Sequence, residues 1–219
     1  ENIGPTVLVG KSLKIAAGST FKGYNKEAGN DFSLSGQSAL IEWNNRKVKN
    51  WHITASGNGN KLNIKSGCDT LNISDSIYAS GFSVNGQVSH DTVNYTVAWN
   101  NDSSNYANIP GTIAFSQKVQ TAFKLINPVI NSSDSLWQVS KDNLLVIDTS
   151  GISAQHIMFY HNQQYIEAEG KLSGKKSDAL VINFPKFNLG NLIFTSPAFQ
   201  AMVDGTASRV NLYNQPCFV

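Results

Sequence analysis

Short segments in which apolar and polar residues alternate recur along this chain from end to end. The clearest is 93–99, where an apolar side chain stands at every second position. Because successive side chains of a β-strand point to opposite faces, this period predicts strands with one apolar face. Turn signals rich in Gly, Asn or Lys separate the segments, as at 57–60, Asn85-Gly86 and 171–176. The pattern predicts an all-β fold.

The spacing of the segments, about one strand every ten residues, is typical of several all-β architectures. We predict an antiparallel β-sandwich. A near repeat, KLNIKSG at 61–67 followed by TLNISD at 70–75, supports a β-solenoid or β-helix as the alternative. A solenoid needs at least three repeats of steady period, and the spacing becomes irregular after residue 90.

Two short helices are expected to interrupt the strands, at 117–126 and at 197–203. The first has apolar residues at helical spacing and ends before Asn127-Pro128. The second begins with Ser196 as a cap and Pro197 at the first helical position. We expect one β-rich domain over 1–219, with a split into two domains near 90–100 as the alternative.

Composition narrows the classes of partner. The 17 basic and 15 acidic residues are scattered and leave a net charge of +2, which disfavours nucleic acid. No apolar run approaches the ~18 residues of a membrane-spanning helix. About 25 asparagines and about 25 serines favour turns over helices.

The chain contains two cysteines, Cys68 and Cys217, without metal-ligand spacing around either. We therefore expect a disulfide between them, which would place the protein in an oxidising compartment. The chain also begins at Glu1 without a methionine. Together these features predict a secreted or cell-surface protein whose signal peptide has been removed.

Motifs for catalysis are incomplete. Gly10-Lys11-Ser12 lacks the leading glycine of a phosphate loop, and the run 144–151 contains a single aspartate where an aspartic protease needs a pair. The four histidines lack metal-ligand spacing. We predict no catalytic residue, no metal and no cofactor, although distant strands can still bring together an acidic pair.

A repeated tripeptide, Trp-Asn-Asn, follows an apolar strand at residues 43–45 and again at 99–101. A flat indole can stack on a sugar ring while amides, carboxylates and guanidinium groups bond its hydroxyls. The predicted ligand-binding residues are Trp43, Asn44, Arg46, Trp51, Trp99, Asn101, Asp102 and Tyr106. The alternative is that the tryptophans close a core and the asparagines make turns.

These observations predict an adhesin- or lectin-like protein that recognises a glycan or a host-surface receptor without catalysis. A pilus- or virion-associated assembly protein that binds another protein is the alternative. A β-pore-forming toxin, with a hairpin from Ser103 to Gln120, and a glycosidase are further alternatives.

Overall fold

A computed structural model describes residues 13–26, 31–44, 46–73, 78–116, 120–132, 134–184 and 209–212. The described residues form antiparallel β-structure and include no helix, which confirms the all-β prediction. Contacts divide the chain into two compact units, Glu1–Asn108 and Ile109–Val219. We refer to them as unit 1 and unit 2.

Unit 1 is a meander of long strands. In chain order they are β1 (Leu13–Ile15), β2 (Thr20–Lys26), β3 (Asp31–Trp43), β4 (Arg46–Asn58), β5 (Lys61–Asn72), β6 (Tyr78–Ser89) and β7 (Thr92–Asp102). Both β1 and β2 pair with β3, and β4 to β7 follow in chain order. Strand β8 (Asn105–Ser116) follows β7 in the chain. The division between the two units, after Asn108, falls within this strand.

Tight turns connect several of these strands. Two residues separate β3 from β4, β4 from β5, β6 from β7 and β7 from β8. Asn44, Gly59 and His90 have positive φ in three of these turns, the conformation that two-residue hairpins require. The predicted turn at 57–60 is therefore confirmed. The predicted turn at Asn85-Gly86 is wrong, because both residues lie within β6 and pair with Lys65 and Ile64 of β5.

The two faces of the unit 1 sheet differ in polarity. Cross-strand partners point to the same face, so the register defines one surface that runs across the sheet. One of its rows runs Phe21, Gly36, Ile53, Ser66, Val84 and Val97. We call this surface the apolar face; its large members are Phe21, Phe32, Leu34, Leu40, Trp51, Ile53, Leu62, Ile64, Tyr78, Phe82, Val84, Val88, Val93, Tyr95, Val97 and Trp99. The opposite, polar face carries mainly Ser, Thr, Asn, Gln and Lys along the middle of the strands.

Unit 2 contains shorter strands and a more conventional core. The strands are β9 (Gln120–Leu125), β10 (Val129–Ser132), β11 (Ser135–Val139), β12 (Leu144–Asp148), β13 (Gly151–His161), β14 (Gln164–Ser173), β15 (Leu180–Asn183) and β16 (Arg209–Leu212). Strand β13 pairs with β12 along its first half and with β11 near its end. Trp137 is buried there and packs against Ile130, Phe159, Ile166 and Phe184.

Two expectations need correction. The predicted helix at 117–126 is wrong, since Gln120–Leu125 is strand β9, paired with β8 on one side and β12 on the other. Hydrogen bonds to two neighbouring strands outweigh the weak helical pattern. The predicted disulfide is not found, because Cys68 is a free, buried thiol. Cys217 and the predicted helix at 197–203 lie outside the described residues.

Candidate functional site

The first Trp-Asn-Asn turn is a hairpin between β3 and β4. Trp43 is 51% exposed and pairs with Arg46, whose guanidinium carbon lies 5.7 Å from the centre of the indole ring. This cation–π contact occupies part of the aromatic surface that a sugar would use. Asn44 has φ 48 and forms the turn.

Trp51 is not part of the same cluster. It stands five residues along β4 from Arg46, so its side chain points to the apolar face whereas Arg46 and Trp43 point to the polar face. There its ring lies 5.7 Å from that of Phe21, and its indole N–H donates to the Ser66 hydroxyl at 3.0 Å. Trp51 therefore packs within the sheet, which favours the structural alternative for this residue.

The second Trp-Asn-Asn lies within strand β7, and the turn follows it at 103–104. This end of β7 does form a depression. Trp99, Asn101, Asp102 and Tyr106 line one open cleft of about 770 Å³ in unit 1. Gly81, Ala98, Asn100, Ser103 and Ala107 complete its walls. We call it the Trp99 cleft. The structure thus brings together four of the eight predicted residues and keeps the other four, Trp43, Asn44, Arg46 and Trp51, away from this cleft.

Within the Trp99 cleft, Asn101 has a structural task. Its side-chain oxygen accepts from the Ser80 amide at 2.6 Å, and its side-chain nitrogen donates to the Tyr78 carbonyl at 3.1 Å. The amide thereby bonds the backbone of β6. Asp102 uses one carboxylate oxygen to accept from the Ser104 amide at 2.7 Å, which stabilises the turn.

The prediction from sequence did not include the apolar face as a binding surface. None of its large side chains, all of them among the described residues, is fully buried, and Phe21 and Phe32 are 42% and 39% exposed. The fully buried apolar residues described in unit 1 are small: Ala55, Cys68, Ala79 and Ala107. The unit therefore presents a broad, partly solvated apolar surface, unlike the Trp137 core of unit 2.

Charge on this face is confined to one corner. Among the described residues of β1 to β7, the charged side chains on the apolar face are Lys14, Glu42, Lys47 and Lys49, which we call the basic corner. Glu42 lies 4.0 Å from the Lys14 ammonium and 3.5 Å from that of Lys47. Three cations and one anion leave the corner with a net positive charge. Neighbouring Asn72 has a buried side-chain oxygen with no hydrogen-bond partner among the described residues.

Other titratable clusters in the described part of the chain are local turns. Ser150 donates to Asp148 through its hydroxyl and its amide, and these bonds lower the pKa of Asp148. The described ranges hold no group of three or more His, Cys, Asp or Glu residues suited to a metal ion. They also contain no helix of the length and hydrophobicity needed to cross a membrane.

The Cys68 thiol is buried in the sheet, and that burial, with a smaller contribution from the Asp69 charge, raises its pKa. A raised pKa disfavours the reactive thiolate. This environment is that of a packed, inert cysteine. Comparison with family models, with curated proteins and with solved structures finds no match for the chain.

Proposed function

We propose that unit 1 is a binding module whose apolar face takes the hydrocarbon part of an anionic amphiphile. The observation that carries the proposal is the partial exposure of every large apolar side chain on that face. Apolar surface left in contact with water gains free energy when it is covered. Covering ~300 Å² contributes about 7.5 kcal/mol at about 25 cal/mol per Å², before the entropic cost of association.

The distribution of charge supports an amphiphile as the occupant. A hydrocarbon chain needs a long surface free of charge, and the rows from Phe21 to Val97 and from Leu34 to Tyr95 supply one. An anionic headgroup needs cations at the end of that surface, and the basic corner supplies Lys47 and Lys49 on the same face.

Hydrogen bonding keeps the middle of the face suited to hydrocarbon. Trp51 directs its only donor to Ser66, and the Ser66 hydroxyl donates in turn to the His52 carbonyl at 3.1 Å. These polar atoms are therefore satisfied within the sheet. An alkyl chain laid over them would strand no donor.

A titration of the lipid-free protein with a fluorescent long-chain fatty acid tests the proposal. Ile53→Asn, on the apolar face, should weaken fatty-acid binding ~5- to ~150-fold, because a buried amide without partners costs about 1–3 kcal/mol. Thr54→Asn is the matched control, since it makes the same side chain one position along on the polar face. No saturable binding, or equal weakening by both variants, would refute the proposal.

The headgroup is tested separately. Replacing Lys47 and Lys49 together by Gln should weaken binding of the fatty acid several-fold. Binding of a long-chain alcohol of the same length should be unaffected. Lys61 and Lys65, both on the polar face of β5, provide the control pair. Analytical ultracentrifugation distinguishes a self-associating apolar face, which would instead bury the surface between two copies.

A secreted or cell-surface role, with adhesin- or lectin-like binding of a glycan or host receptor, is the second proposal. The Trp99 cleft favours it, because aromatic, amide and carboxylate groups converge there. Fractionation of the native source tests the setting. Recovery of the protein only from a reducing, intracellular fraction would contradict it.

A further inference from the structure

We propose that the Trp99 cleft is a second ligand site, at the end of β7 beyond Val97, which takes the terminal sugar ring of a glycan. This inference deepens the lectin-like proposal and does not depend on the amphiphile. The cleft volume of about 770 Å³ falls within the ~300–1,000 Å³ that small-molecule sites occupy. It is open enough for one end of a larger molecule to enter.

The cleft lies beyond the end of a stretch of backbone pairing. Strands β6 and β7 pair from Ser89–Thr92 to Ser83–Ala98, and beyond this point the Asn101 side chain bonds the β6 backbone. Gly81 has φ 56, and a Cβ placed there would meet no heavy atom within 4 Å. Space is therefore open above Gly81, which lines the cleft.

The chemistry of the walls suits a sugar. Trp99 and Tyr106 supply aromatic surface for the apolar side of a pyranose, and Tyr106 also carries a hydroxyl. Asn100 is exposed at the rim, and Asp102 has a second carboxylate oxygen besides the one that bonds Ser104. A carboxylate accepts from the hydroxyls of a ring, and an amide both donates to them and accepts from them.

We assign Asn101 a positioning role in the cleft, where sequence predicted a ligand-binding one. Because both ends of its amide bond the β6 backbone, it is a positioning residue that holds the cleft open. Substitution of Asn101 should change the shape of the cleft by releasing the β6 backbone. Substitution of Asp102 or Tyr106 should instead remove a direct contact with the ligand.

A glycan array, followed by saturation-transfer NMR on any ligand found, tests the inference. We expect Trp99→Phe and Asp102→Asn each to weaken binding of the sugar ~10-fold or more. The Asp102→Asn substitution keeps a side-chain oxygen that accepts from the Ser104 amide, so the turn survives while the charge is lost. Trp43→Ala is the control, since Trp43 is an exposed tryptophan outside the cleft.

The outcomes separate the two sites. Loss of sugar binding in Trp99→Phe and Asp102→Asn, with Trp43→Ala unchanged, supports the inference. Absence of binding to every array glycan, or equal loss in Trp43→Ala, overturns it. Asp102 and Trp43 both point to the polar face, so fatty-acid binding should stay within ~2-fold in Asp102→Asn and Trp43→Ala. Failure of the sugar site and failure of the apolar face therefore give different results.

Discussion

Gly36 lies on the apolar face beneath the ring of Phe21. A Cβ at this position would stand 2.9 Å and 3.0 Å from two atoms of that ring and 3.2 Å from the Ile53 methyl carbon. Gly86 lies on the same face, and a Cβ there would meet no atom within 4 Å. Two glycines with similar strand environments therefore differ in the space above them.

We expect Gly36→Ala to lower the free energy of unfolding by about 1–3 kcal/mol, because the added methyl overpacks the contact with Phe21. Gly86→Ala should be neutral or slightly stabilising, since it only reduces the freedom of the unfolded chain. Urea denaturation measures both. Equal effects of the two substitutions would contradict the packing described for the Phe21 ring.

Asp148 provides a second prediction for single residues. The Ser150 hydroxyl, with the Ser150 amide, holds its pKa below the ordinary value of about 3.9. A lowered pKa stabilises the fold above the unfolded pKa and loses that contribution as the pH falls through the folded pKa. Ser150→Ala should therefore raise the pKa of Asp148 and reduce the loss of stability on acidification.

NMR titration of the side-chain carboxyls checks this expectation, with Asp178 as an internal control. The pKa of Asp178 is lowered chiefly by the Ser173 hydroxyl, which Ser150→Ala leaves in place. An unchanged pKa for Asp148, or an equal rise at Asp178, would be inconsistent with the assigned cause.

At the scale of secondary-structure elements, Asn143 links β9 to the start of β12. It is buried, its side-chain oxygen accepts from the Leu125 amide at 2.7 Å, and its nitrogen donates to the carbonyls of Leu125 and Ser140 at 3.0 and 2.6 Å. The side chain thus continues the pairing of β9 where the β12 ladder begins, at Leu145–Phe123.

Asn143→Ala should lower the free energy of unfolding by about 2–4 kcal/mol, because it leaves buried backbone groups without partners. Asp142→Ala, at the exposed neighbouring position, should change it by less than ~0.5 kcal/mol. Thermal and urea unfolding give the comparison. A small effect at Asn143 would show that β9 does not depend on this amide.

The elements also show what local sequence can predict. Alternation identified strands such as β5 and β7, because it reports the two faces of one strand. It failed at β9, whose apolar spacing also fits a helix and whose pairing partners β8 and β12 determine the outcome. Asn85-Gly86 resembled a turn, yet neighbours on both sides hold it in β6.

The candidate site was predictable in part for a similar reason. Trp99, Asn101, Asp102 and Tyr106 are close in the chain, and one hairpin brings them together. The apolar face requires the register of six strands, β2 to β7, which no single segment encodes. The partial exposure of this face also depends on whether another element packs against it, and the alternation within one strand carries no information on that.

At the scale of the whole molecule, units 1 and 2 bury their apolar residues differently. Unit 2 has Trp137, Val139 and Val146 fully buried, whereas the fully buried apolar residues described in unit 1 are Ala55, Cys68, Ala79 and Ala107. The apolar face of unit 1 leaves large side chains partly in contact with solvent, and a ligand that covers them stabilises the unit. The central claim is therefore that hydrocarbon binds on that face of unit 1.

Paramagnetic relaxation by a spin-labelled fatty acid tests this claim most directly. We predict that the label broadens the methyl signals of Ile53, Ile64 and Val84 on the apolar face. The methyl signal of Thr54, next to Ile53 but on the polar face, should broaden less, as should those of Ile130 and Val146 in unit 2. Equal broadening on both faces of the sheet, or none on the apolar face at saturating fatty acid, would contradict the account.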